Sequence, residues 1–67
     1  IVEIISHRDN IETIENELDF YEIMHKDAEH YEWKDYRIIA TCEDIHLMSL
    51  FIARITYINK FHFKLFV

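Results

Sequence analysis

The chain has 67 residues, 51% of them hydrophobic and 15% aromatic, so it is one small domain and too apolar for a disordered tail. It contains no Gly and no Pro, where average usage gives about eight residues of the two together; this excludes phosphate-cradling Gly loops, dinucleotide fingerprints and nucleophile elbows. Thirteen acids against seven Lys and Arg leave a net charge of −6, the opposite of the basic surface that displaces counterions from nucleic acid.

Ile1 to Ile5 is dense in β-branched residues and predicts a strand, with Ser6, His7 and Arg8 as its exit. Asp9 with Glu12 three residues on reads as a capping box. Ile11, Ile14, Leu18 and Tyr21 then recur at helical spacing, and Glu12, Glu15, Asn16, Asp19, Glu22 and Lys26 fall opposite. The expected helix covers 10 to 26, or runs to 31 if Ala28 and Tyr31 continue the stripe. Tyr31 and Trp33 alternate with His30 and Glu32 and allow a short strand, turning through Lys34-Asp35. Tyr36 to Thr41 alternates clearly and predicts another strand.

Thr41 followed by Asp44 is a second cap signal. Leu47, Phe51, Ile55 and Ile58 then predict a helix over 43 to 57, with Asn59 as its stop. The rival reading makes 45 to 58 a strand, hairpinned through Asn59-Lys60, because 51, 53, 55 and 57 also alternate. The Thr41 cap and the pair Leu47/Leu50 favour the helix. Phe61 to Val67 has apolar odd positions and predicts a last strand.

The expected fold is a two-layer α+β sandwich, a four-stranded antiparallel sheet with two helices on one face. In its order, strand-helix-strand-strand-helix-strand, and in its opening Val2-Glu3-Ile4 and its Trp33-Lys34, the chain resembles the ferredoxin-like superfold in split βαβ form. Within that superfold it is similar in layout to ACT domains and to the activation domains of pancreatic procarboxypeptidases. The first resemblance implies an amino-acid ligand held at a Gly between the first strand and helix. Here that stretch is Ser6-His7-Arg8-Asp9-Asn10, without Gly.

In such a fold the second sheet face carries Glu3, Ile5, Arg37, Ile39, Thr41, His62 and Lys64, with Ile1 beside them. It is the candidate interface for a homodimer or a protein partner. Glu3 and Arg37 are expected as cross-strand neighbours. RNA-binding members of the superfold stack bases on aromatics of their central strands. Here Ile1 to Ile5 has none, and Tyr36 is assigned to the helix side, so nucleic acid is not an expected partner.

Candidate chemistry is sparse. His25 and Glu29 would form a metal-binding pair if the first helix ran on, although a solvated helix end explains them better. His62 beside Lys64 reads as surface, as do His7 and His46. The carboxylate pairs Glu12/Glu15, Glu15/Asp19 and Asp19/Glu22 read as a solvated face, with a surface for a basic partner as the lesser reading. Cys42, the lone cysteine, cannot form an internal disulfide. Near a helix N-terminus with His46 it is a weak nucleophile candidate and more plainly a small buried hydrophobe. The longest uninterrupted apolar run, Leu50 to Ala53, is far below the ~20 residues of a membrane span. Nothing resembles a signal peptide, and the start at Ile1 rather than Met suggests a fragment or processed product. The sequence therefore points to a non-catalytic folding domain with no cofactor, soluble (and cytoplasmic if natural), with an engineered origin in view. The alternatives are an interaction or regulatory module using the open sheet face, or an acidic inhibitor of a basic partner.

Overall fold

Aliphatic residues two apart along the strands and three or four apart along the helices meet in one core. The computed structural model describes residues 1–58 and the backbone of 63–66. Its elements are β1 (Val2–His7), a 3₁₀ turn (Arg8–Asn10), α1 (Ile11–Phe20), β2 (Met24–His25), β3 (Glu29–Glu32), β4 (Asp35–Thr41), α2 (Ile45–Ile58) and β5 (Phe63–Phe66). The described strands form one antiparallel sheet in the order β2-β4-β1-β5, with β3 also paired to β4. β1 occupies one edge of β4 along Val2–His7, so β2 and β3 share the other.

Opposed pairs Val2↔Ala40 and Ile4↔Ile38 point into the core. There they meet Ile11, Ile14 and Leu18 of α1 and Met48, Phe51 and Ile55 of α2. Ile4, Ile14, Leu18, Ile38, Phe51 and Ile55 are essentially sealed. Each such burial contributes about 1.5–3 kcal/mol relative to exposure. The α+β class and the antiparallel sheet with two helices thus agree with expectation, and residues 45 to 58 are helix, not strand.

The element order differs from the expected one. β3 stands where the short strand before β4 was expected, and β2 is an added strand within the stretch expected as helix. Pairing shifts by one residue between them, from His25↔Ala40 to Glu29↔Arg37, and shifts again between His30 and Glu32. Such bulges twist an exposed edge and, with Glu29, His30 and Glu32 upon it, discourage edge-to-edge pairing. The hairpin loop is Trp33-Lys34, one residue earlier than Lys34-Asp35. A two-residue loop needs positive φ at its first position, and Trp33 adopts φ 51°.

α1 ends at Phe20, short of 26. The Glu22 N–H donates to the Asp19 carbonyl at 3.0 Å and the Ile23 N–H to the Leu18 carbonyl at 2.9 Å. These bonds make a Schellman motif, with Glu22 at φ 57° in the place usually given to Gly. Burial of Ile23 beside Leu18 drives the chain to turn there rather than extend the helix.

Both caps also fall elsewhere. The α1 N-cap is Asn10, not Asp9, and it makes no side-chain cap hydrogen bond; the 3₁₀ turn before it is capped by the His7 ring, whose Nδ1 accepts from the Asp9 N–H at 3.3 Å. At α2 the cap is Asp44 rather than Thr41, and its Oδ1 accepts from the N–H groups of His46 (3.0 Å) and Leu47 (3.2 Å). The expected stop at Asn59 and the Asn59-Lys60 hairpin lie outside the described residues.

Candidate functional site

The outer sheet face is built on the two central strands. Register places Ile5 opposite Arg37 and Glu3 opposite Ile39, so Glu3 and Arg37 are diagonal neighbours, not a direct pair. Glu3, Arg37 and Ile39 are half-buried and Thr41 is exposed at the end of β4. Ile5 retains only 6% exposure although it lies outside the core cluster. Lys64 pairs with Ile5 through the backbone. Its side chain, and His62, lie outside what is described.

Arg37 organises this face. Glu29, its cross-strand partner on β3, accepts a hydrogen bond from the guanidinium Nη2 at 3.0 Å. The guanidinium carbon lies 5.7 Å from the centre of the Tyr31 ring, within cation–π range. The hydrogen bond to Glu29 raises the Arg37 pKa above its ordinary value; desolvation opposes this, and the charges of Glu29 and Glu3 add to it. The Arg37 Nε is buried and has no hydrogen-bond partner among the described residues.

Glu29 and Tyr31 were not expected here. The irregularity between His30 and Glu32 slips the pairing by one residue, from Glu32↔Asp35 to His30↔Tyr36, and a one-residue slip exchanges the faces of a strand, which brings Glu29 and Tyr31 beside Arg37. The signal available in the sequence was the alternation of Glu29 and Tyr31 with His30 and Glu32.

The histidines are dispersed. Because α1 stops at Phe20, His25 and Glu29 sit on separate strands and not on one helical face. His25 Nδ1 lies 3.0 Å from the Ile23 carbonyl, and its Nε2 lies 3.7 Å from Asp19. His30 Nε2 lies 2.6 Å from the Trp33 carbonyl, bracing the hairpin, and its ring meets Tyr36 edge-on at 5.6 Å. No group of three or more His, Cys, Asp and Glu among the described residues is placed to hold a metal.

Cys42 precedes α2 and is half-buried. Its thiol donates to the Asp44 carbonyl at 3.3 Å. With α2 starting at Ile45, Cys42 and His46 do not share a helical turn. Two shallow depressions flank α1. One is lined by Arg8, Ile11, Glu12, Glu15, Ala28 and Tyr36, the other by Glu17, Phe20, Tyr21 and Arg54. No described helix is long and apolar enough to cross a membrane. The chain matches no family model, no curated protein and no solved structure.

Proposed function

We propose that this chain is a non-catalytic folding domain of the ferredoxin-like class, in which β2 and β3 together stand for the second strand. The order β5-β1-β4-β2, antiparallel throughout, supports that arrangement. The observation that carries the non-catalytic reading is the use made of Cys42 and Asp44. The half-buried thiol points to the Asp44 carbonyl, 3.3 Å away, and the Asp44 carboxylate is taken up in capping α2, so neither group is aimed at a common open site. Alkylation of the thiol in native protein tests this. Modification slower than in unfolded protein supports the reading, and faster modification overturns it.

Glu22 and Trp33 hold positive φ where Gly is the ordinary residue, a mark of a restricted residue set that supports an engineered origin. A natural family sharing both residues would remove that support.

A second reading makes the outer sheet face a surface for a protein partner or a second copy. Half-buried Ile39 and exposed Thr41 on the outward face of β4 favour it. Light scattering decides the second-copy form: a dimer that dissociates on Ile39→Glu supports it, and a monomer unaffected by the substitution counts against it.

A further inference from the structure

The end of α1 and the start of β2 meet around one imidazole. The chain leaves the helix through Glu22, and the Ile23 N–H bonds back to the Leu18 carbonyl, so His25 returns to Asp19 although six residues separate them. The His25 side chain is only 13% exposed, whereas that of Asp19 is 71% exposed. His25 pairs with Ala40 across β2 and β4, and alternation turns Met24 and Lys26 to the opposite face.

Both nitrogens of this ring face oxygen. Nδ1 lies 3.0 Å from the Ile23 carbonyl, which can only accept, so the proton of the neutral ring sits on Nδ1. Nε2 is then a lone pair, 3.7 Å from Asp19 Oδ1. A lone pair facing a carboxylate at that distance is repulsive, and a cation between them relieves it. A backbone carbonyl holding the far N–H is also the usual support of a metal-binding imidazole, since it fixes both tautomer and ring orientation. His7 makes the contrast. Its Nδ1 stands 3.4 Å from Asp9 Oδ2, but the Asp9 N–H already occupies that lone pair.

The surroundings favour positive charge. The last turn of α1 contains no basic residue, and among the described residues no Lys or Arg forms an ion pair with Asp19. The negative end of the helix dipole acts in the same sense. Two ligands of a tetrahedral zinc ion, bonded at about 2.0–2.1 Å, stand about 3.3–3.4 Å apart. Closing the present gap takes a small rotation of the exposed Asp19 side chain, with the buried ring left in place. Imidazole with carboxylate suits zinc, nickel or copper. No third His, Cys, Asp or Glu joins the pair among the described residues, so water fills the remaining positions.

We propose that His25 Nε2 and the Asp19 carboxylate form a two-residue site for a divalent transition-metal ion, which clamps the end of α1 to β2. This goes beyond the non-catalytic reading and does not depend on it.

The test titrates zinc chloride into the isotope-labelled full chain at neutral pH and follows the ring signals of its five histidines by NMR. The His25 ring should respond at about tenfold lower zinc than the rings of His7 and His46. Asp19→Asn should raise the zinc needed at His25 by about tenfold and leave the other rings unchanged. Zinc should raise the melting temperature of the parent more than that of the variant. Asp19 is exposed, so the variant should keep the fold, which circular dichroism checks; the order in which the five rings respond needs no variant at all. Rings that respond together, or an unchanged His25 response in Asp19→Asn, would reduce the binding to lone surface imidazoles and overturn the proposal. A His25 ring that takes up a proton but no zinc at millimolar concentration would leave the pair an ordinary ion pair and overturn it equally.

Discussion

The Ile23 N–H reaches the Leu18 carbonyl at 2.9 Å only because Glu22, one residue before Ile23, turns to φ 57°. For an L-residue with a Cβ this conformation costs about 1–2 kcal/mol. The sealed pair Leu18 and Ile23 holds it in place. Glu22→Gly should therefore raise stability by about 0.5–1 kcal/mol, part of the relief being offset by the greater freedom of Gly in the unfolded chain. In a domain of this size the melting temperature should rise by roughly 2–8 °C. Glu22→Val, β-branched at the same position, should lower it.

Trp33 presents the same strain at the tip of the β3–β4 hairpin, at φ 51° and 83% exposure. The indole buries little there, so Trp33→Gly should also stabilise, again by about 0.5–1 kcal/mol. Because the two residues serve different turns, the double variant should show close to the sum in chemical denaturation. A destabilising Trp33→Gly would mean that the indole, not the backbone, governs this hairpin.

The α2 cap separates two residues that look alike in sequence. Asp44→Ala removes the acceptor of two backbone N–H groups and should cost about 1 kcal/mol. Thr41→Ala, at an exposed strand end, should change stability by less than about 0.5 kcal/mol. Urea midpoints of the two variants check both values.

Much of the fold was legible in the sequence because periodicity reports burial directly. The stripe Ile11, Ile14, Leu18 and the alternation along Tyr36 to Thr41 located the core faces of α1 and β4. Turn positions were less legible, for one physical reason: without Gly, Pro or an Asn-Gly pair, residues with no turn preference occupy the special dihedrals. Glu22 gave no sign of ending α1, and Trp33 read as strand. The bulge between His30 and Glu32, which no residue type there announces, then hid Glu29 and Tyr31 as the neighbours of Arg37, while β1 and β4 kept their expected faces. The α2 cap falls at Asp44 and not Thr41 because a side chain caps where the chain enters the helix, and burial of Met48 and Phe51 sets that entry at Ile45.

Phe51 is 1% exposed and joins α2 to Tyr21 and the sheet. Phe51→Ala should cost about 3–5 kcal/mol through lost burial and the cavity left behind. Total stability for a domain of this length is on the order of 3–10 kcal/mol. The variant should therefore be largely unfolded or sharply destabilised at 25 °C, which far-ultraviolet circular dichroism with a urea titration would show. A variant within about 1 kcal/mol of the parent would mean the core is not packed as described.

The reading of this chain as a domain without catalysis rests on its one thiol being half-buried against the Asp44 carbonyl beside a structural cap. The most direct measurement is the alkylation rate of Cys42 by iodoacetamide at neutral pH, native against urea-unfolded. The account predicts slower reaction in the native protein, with full reactivity regained on unfolding. A native thiol that reacts faster than the unfolded one would reveal an activated thiolate at the start of α2 and contradict it.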